Sequence, residues 1–451
     1  MSAAFLARVT DARLVLDRAD ELATHSARTD GIERTYLTAE HRAVNALAAK
    51  WMRQAGMRTW QDAAGNACGR LEGLRPGLPA LLLGSHLDTV PDAGRYDGIL
   101  GVLAAIAVVT RLREGELPFA VEVIAFGDEE GTRFGTTLLG SRAVAGTWQP
   151  EWADLTDPHG VTLREAARSF GLDVDDIGSA ARRAEDLVGY LEVHIEQGPK
   201  LESAQQALGV VTGIAAARRL SVTIEGEARH CATPFGSRHD ALVGASEAIL
   251  AIEDIARARG SYATVGALRV EPGAVNVIPG LVEFSLDLRD ETAEARDATL
   301  AEILERITAL AADRGLAVRA EHTHVAPAVH CAPRLRDVVR AGIRATGERD
   351  PLELFSVAGH DAMAIAARTD VAMFFVRCAG GVSHHPDEAV TEADVAAAVD
   401  ALHAAVLVLA EGGAGGGAGP AAAAVEPAEA AGAAAAAGTV GAAESGQRVL
   451  P

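Results

Sequence analysis

The sequence predicts an α/β protein in which a mixed, largely parallel sheet carries a second, smaller inserted unit of split-βαβ (ferredoxin-like) form. Three observations predict it. Short apolar runs ending in polar residues alternate with helix-length apolar segments near both ends of the chain. Between about residues 213 and 328 the order changes to β-α-β-β-α-β. At 451 residues and 49% hydrophobic content, the chain can bury more than one core.

Taken in order, "LPALLLGSH" and "VEVIAFGDEE" are continuous apolar runs of strand length, the pattern of strands buried on both faces. The helix-like "GILGVLAAIAVVTRLREGE" separates them, which makes a β-α-β unit. "LVGYLEVHIEQG" and "VAMFFVRC" supply further strands, and "DVAAAVDALHAAVLVLAEG" reads as the closing helix. The inserted unit runs through strand "LSVTIEGEA", helix "DALVGASEAILAIEDIARARG", strands around "TVGALRV" and "LVEFSLDLRD", helix "DATLAEILERITALAADRG" and strand "LAVRAEHTHV". The larger domain is thus expected in two parts, 1–212 and 329–410, with 213–328 inserted. From 411 to 451 Ala, Gly and Pro dominate and large apolar side chains are almost absent, so a disordered tail is expected there.

Composition restricts the partners. A formal net charge of −21 offers no phosphate-neutralising patch, which argues against nucleic acid and against an anionic membrane surface. A small-molecule substrate is expected instead. No apolar run is read as reaching the roughly 20 residues that span a bilayer. Cys68, Cys231, Cys331 and Cys378 stand far apart without a C-x-x-C pair, so neither a disulfide framework nor a thiolate zinc site is expected. A reducing, cytoplasmic setting is therefore expected.

The chemistry-bearing residues cluster by position. His86, Asp88, Glu129, Glu130 and His194 fall at or just past strand ends, where open parallel sheets bind ligands. Asp97 lies in the Gly-rich turn before a helix, and His384 and His385 come just after the strand "VAMFFVRC". Imidazole and carboxylate without thiolate is the donor set of a hydrolytic Zn or Mn site. The loci suffice for two ions if one aspartate bridges. Singly, each has a bland reading: His-x-Asp caps turns, "DEEG" is a solvated acidic face, and "VHIEQGP" passes for an edge strand. Five such loci at successive strand ends are hard to explain as independent accidents.

The ordered series "GSHLDTVPDAGRYDGILGVL", "FGDEEGTRFG", "EVHIEQGP", "PGAVNVIPG", "AGHDAM" and "FVRCAGGVSHHPDE" resembles the dinuclear amidohydrolases of the aminoacylase/carboxypeptidase-like metallopeptidase clan. Within it, the chain looks like the branch of N-carbamoyl-L-amino-acid hydrolases, β-ureidopropionases and allantoate amidohydrolases, from roughly Gly31 to Glu411. The resemblance implies hydrolysis of a ureido C–N bond with two divalent ions per chain, Mn2+ or Zn2+. It implies one ion on His86, Asp97 and His194 and the other on Asp97, Glu130 and His384, with Asp97 bridging and His385 in a variable position. Glu129 would be the general base, and Asp88 the carboxylate that orients His86.

The resemblance also implies a homodimer in which the inserted unit is both lid and dimer surface. His230 would reach the oxyanion from the partner subunit, and Asn276 and Arg289 would clasp the substrate carboxylate. Gln197 and Gly359 would line the substrate. The bland alternatives are a turn-shaping Asn276 and a surface ion pair at Arg289. The run "HCATPF" is apparently one residue shorter than its counterpart in the family, which leaves that loop's geometry open. Cys231 as a nucleophile is disfavoured, since neighbours on a strand point to opposite faces. The motifs lean toward allantoate as substrate, releasing ammonia and CO2, with an N-carbamoyl-L-amino acid or N-carbamoyl-β-alanine as alternatives. From another class, a catalytically silent metal-binding homologue is opposed by the presence of Glu129, which turnover needs and ion binding does not.

Overall fold

The structure, a computed structural model, describes residues 3–413. Among them nine strands form one mixed sheet and five form another, and two short strands pair as a ribbon. At the centre of the larger sheet lies Ala80–His86, parallel to Ala120–Phe126 on one side and to Leu187–Ile195 on the other. Every residue of the first two strands is buried, because helices cover both faces of the sheet. Val371–Val376 is wedged between Leu187–Ile195, to which it is parallel, and Leu208–Ile214, to which it is antiparallel. On the far side Ala67–Leu71 and Arg58–Gln61 add an antiparallel edge.

The helix Ile99–Arg111 is buried from Ile99 through Val109, which explains its apolar circumference. It packs beneath the central strands and against the last helix, Glu392–Gly413. That last helix corrects the expectation that no segment reaches spanning length. It is long and apolar enough to cross a membrane, the one such helix among the described residues. Its apolar residues are used within the fold, however: Val395, Ala398, Val399, Leu402, Ala405 and Val406 recur at helical spacing and are buried in the main core. It also runs through Gly413, past the point where the tail was expected to begin. The rest of the expected tail, 414–451, lies outside the described residues.

The second sheet runs Leu268–Glu271, Leu281–Asp290, Ala216–Glu225, Ala317–Ala326, antiparallel throughout, with Tyr262–Thr264 as a further partner of Leu281–Asp290. Leu281–Asp290 buries every second side chain from Val282 to Leu288, the alternation of a sheet covered on one face. The cover is the helix pair Ala241–Arg259 and Ala293–Asp313, and the resulting core joins Leu220, Val222, Phe284 and Leu286 to Ala248, Ile252, Ile303 and Ile307. The stretch around "TVGALRV" forms two short strands because Ser285 Oγ accepts the N–H groups of Gly266 and Ala267 at 3.3 and 3.0 Å, outside the ladder. The first sheet keeps Gly213 and Ile214, and Val329–His330 returns to it.

Candidate active site

The central strands are parallel neighbours, so the residues at their carboxyl ends meet along one edge of the sheet. His86 closes its strand, His194 is the penultimate residue of Leu187–Ile195, and Glu129 and Glu130 lie just past Ala120–Phe126. The turn ahead of the helix Ile99–Arg111 delivers Asp97. There Gly98 has φ +72°, and a Cβ on it would lie 2.4 Å from the His86 ring, so only glycine lets this backbone approach the imidazole.

Asp97 is the hub. Its Oδ1 lies 3.1 Å from His194 Nε2 and 4.0 Å from His86 Nε2, and its Oδ2 lies 2.9 Å from His384 Nε2. His384 Nε2 is also 3.4 Å from Glu130 Oε1. His86, Asp97 and His194 offer ligand atoms all within 4.8 Å of one another, as do Asp97, Glu130 and His384, and His86, Glu129 and Glu130. His385 instead sits 3.6 Å from Asp387, largely exposed.

The donor chemistry fits divalent cations. Nδ1 of His86 lies 3.0 Å from the Asp88 carbonyl, and Nδ1 of His194 lies 3.0 Å from the Ile195 carbonyl. A carbonyl only accepts, so each Nδ1 bears a proton and each Nε2 faces the carboxylates. Among the described residues no lysine or arginine forms an ion pair with Asp97, Glu129 or Glu130. Three acidic groups gathered at a buried sheet edge, paired with imidazoles that can give up their protons rather than with lysine or arginine, form an electrostatic well for mobile cations.

The titration behaviour has its cause in the same geometry. Hydrogen bonds donated to Asp97 and then to Glu130 hold His384 up at about 10. Burial works to lower His194, but Asp97 outweighs it and carries His194 to about 9. Burial also opposes the charge on Asp97, yet the bonds from His194 and His384 keep it well below the usual carboxylate range. Glu129 has no such partner: burial, then the charges of Glu130 and Asp361, push it well above that range.

Asp88 differs from its expected role. Its carboxylate lies 3.6 Å from His86 Nδ1, too far for a hydrogen bond, and it is the backbone carbonyl of Asp88 that holds the ring. The carboxylate instead accepts the N–H groups of Glu129 and Glu130, each at 3.1 Å. It therefore aims the two glutamates. Burial pushes Asp88 up to about 6.

The residues expected to meet substrate divide into two groups. Gln197 donates through Nε2 to Asp97 Oδ2 at 3.0 Å, and a Cβ on Gly359 would stand 3.6 Å from Glu129 Oε1. Arg289 reaches across from the second sheet and donates to the Val357 carbonyl at 2.9 Å, while Asp287 holds its Nε and Nη2 at 2.8 and 3.0 Å. His230 and Asn276 stand apart on the ribbon formed by Arg229–His230 and Val277–Ile278. There the Cys231 N–H donates to the Asn276 carbonyl at 3.0 Å. Among the described residues no hydrogen bond or ion pair joins these two to the cluster.

Sequence reasoning missed several supports. Glu192, wholly buried two residues before His194, accepts from Ser85 Oγ at 3.1 Å and from the Ala362 N–H at 3.0 Å. His360 stacks edge-on against His194 with ring centres 4.4 Å apart, and Ser356 Oγ holds it at 2.8 Å. Ser383 and Glu388 lie behind Asp97. The signal is present in the motifs themselves: Glu192 is the first E of "EVHIEQGP", His360 the H of "AGHDAM" and Glu388 the last letter of "SHHPDE".

Known proteins share this arrangement of elements. An N-carbamoyl-L-amino acid amidohydrolase of Geobacillus stearothermophilus is 42% identical over 386 residues, covering 85% of this chain and 94% of that protein. An allantoate deiminase of Arabidopsis thaliana is 40% identical over 415 residues, covering 84% of this chain and 79% of that one. The solved structure of a hydantoinase/carbamoylase-family amidase from Burkholderia multivorans superposes with a TM-score of 0.80 at 31% identity, covering 88% of this chain and 98% of that one. The model of peptidase family M20/M25/M40 matches residues 82–408, from the strand that ends in His86 to within the last helix. By that span and by the identity of its relatives, the chain belongs to peptidase family M20/M25/M40.

Proposed function

We propose that this amidohydrolase cleaves a ureido C–N bond in a small substrate that bears a carboxylate, and that the substrate is allantoate. One observation carries the reading. Glu129, a buried carboxylate with no ion-pair partner whose N–H is held by Asp88, groups with His86 and Glu130, which belong in turn to the candidate ligand sets His86, Asp97, His194 and Asp97, Glu130, His384. Cations bound there would lower the pKa of a water from 15.7 toward about 7 and polarise the scissile carbonyl.

The chain's own residues do the rest. Glu129 collects the proton of the attacking water and returns it to the leaving nitrogen. Arg289, held by Asp287, and Asn276 bind the substrate carboxylate, the arginine through donors that Asp287 and Val357 leave open. His230 donates to the oxyanion from the partner of a homodimer, which is consistent with the absence of any hydrogen bond or ion pair between it and the cluster among the described residues. The inserted unit, 213–328, serves as lid and dimer surface.

The Arabidopsis relative's name supports allantoate, and the similarity to the Geobacillus protein favours a second reading, an N-carbamoyl-L-amino acid. An assay of ammonia and carbamate release, with Mn2+ and with Zn2+, separates them. A site that hydrogen-bonds the second ureido group of allantoate rejects an apolar side chain there by as much as roughly 10⁴-fold in kcat/KM. Equal or faster turnover of N-carbamoyl-L-methionine or N-carbamoyl-β-alanine overturns the choice of allantoate.

A further inference from the structure

Glu388 closes the run "SHHPDE" and is only 4% exposed, yet it is not among the groups that face a cation. It lies behind Asp97. Its Oε1 accepts the backbone N–H of Tyr96 at 2.7 Å and that of Asp97 at 3.1 Å. Its Oε2 lies 3.0 Å from Ser383 Oγ, which in turn lies 3.2 Å from Asp97 Oδ2. The fit is close, since a Cβ on Gly94 would come within 2.3 Å of the Glu388 carboxyl group. Among the described residues no lysine or arginine is ion-paired to Glu388, so its hydrogen-bonding capacity goes to the turn that delivers Asp97 and to the residue beside His384.

We propose that Glu388 is a positioning residue: by hydrogen bonding rather than by charge, it ties the Asp97 turn to the His384 loop so that both side chains present their ligand atoms to one cation. The inference rests on the reading of Asp97 and His384 as ligands. A carboxylate at this place keeps two main-chain donors and one hydroxyl in register across loops from the two separate parts of the larger domain. An amide of the same length has an oxygen that can do the same for both N–H groups, while its NH2 can donate to Ser383 Oγ. A shorter carboxylate keeps the charge and loses the reach.

The test uses full-length protein stripped by chelator and titrated with Co2+, read by equilibrium dialysis and by the visible absorption band of the bound ion. Glu388→Gln is expected to bind within about threefold of wild type, and Glu388→Asp roughly 10–100-fold more weakly with an altered band. Circular dichroism checks that each variant is folded. The inference is overturned if Glu388→Gln loses as much affinity as Glu388→Asp, which would make the charge the active property, or if Glu388→Asp matches wild type. Should Glu388→Asp not fold, Glu388→Gln decides alone: affinity near wild type upholds the inference and a large loss overturns it. Asp97→Ala is run beside them. If it keeps both ions, the ligand reading itself has failed; if it loses them while Glu388→Asp does not, only the inference about Glu388 has.

Discussion

At the scale of single residues, the two adjacent glutamates have different work. Glu130 lies against His384, whereas Glu129 makes no ion pair and is raised by burial and neighbouring charge. Glu129→Gln is therefore expected to reduce turnover by at least about 10³-fold while elemental analysis still finds two ions per chain. Loss of metal along with activity would move Glu129 into the ligand set. Asp97→Ala is expected to remove activity and lower occupancy at both positions, since one carboxylate faces His194 and His384 from its two oxygens. The same pair of rings makes stability depend on pH. His194 at about 9 and His384 at about 10 stand above the 6.5 of free imidazole. A raised folded pKa gives stability that is fully present below about 6.5 and lost as pH climbs through about 9 to 10. Chelator-treated protein is thus expected to lose Tm between pH 7 and pH 10, and the Asp97→Ala variant to lose less, because the carboxylate that raises both rings is gone. Mn2+ uptake at pH 7 must displace those protons. Calorimetry in buffers of different ionisation heat is expected to read about two protons released per chain, and a reading of none would contradict the pairing.

At the scale of elements, Leu281–Asp290 carries Arg289 to the other sheet, and Asp287, two residues earlier on the same face, occupies one edge of its guanidinium. Asp287→Ala is expected to raise KM about tenfold while changing kcat little, with the effect absent in an Arg289→Met background. An equal fall in kcat would place the pair in transition-state stabilisation instead. Four of the nine strands of the larger sheet are readable because burial on both faces leaves unbroken apolar runs, as in Ala80–His86 and Val371–Val376, whereas the short or edge strands Arg58–Gln61, Ala67–Leu71, Val329–His330 and Leu352–Ser356 carry no such run. Leu208–Ile214 is not legible either, its two glycines and Thr212 blurring the pattern where one sheet hands over to the other. The split near Gly266 was not visible either, since its cause, the Ser285 hydroxyl, arrives from another strand. The site was legible as residue types at strand ends. What those residues bond to was not: the turn of the Asp88 carboxylate toward the glutamate N–H groups is a fact of the folded backbone.

At the scale of the whole molecule, His230 serves the partner's site in the proposed homodimer. Mixing inactive Glu129→Gln with inactive His230→Ala under conditions of subunit exchange then rebuilds one intact site per mixed dimer, for about a quarter of wild-type activity at equal input. No recovery would place His230 in its own chain's site. The wedged strand Val371–Val376 has a consequence for how the protein comes into being. Its neighbours Leu187–Ile195 and Leu208–Ile214 leave the ribosome long before it does. While synthesis continues, each therefore has an open hydrogen-bonding edge that the native chain will later fill, and each edge is a template for a stray strand from another nascent chain. The inserted unit, complete in sequence by Ala326, is translated during this interval. Crowded expression should then penalise this protein through its unfinished chains, and slowing initiation, which spaces ribosomes along the message, should raise the soluble yield more than lowering the temperature after synthesis is complete.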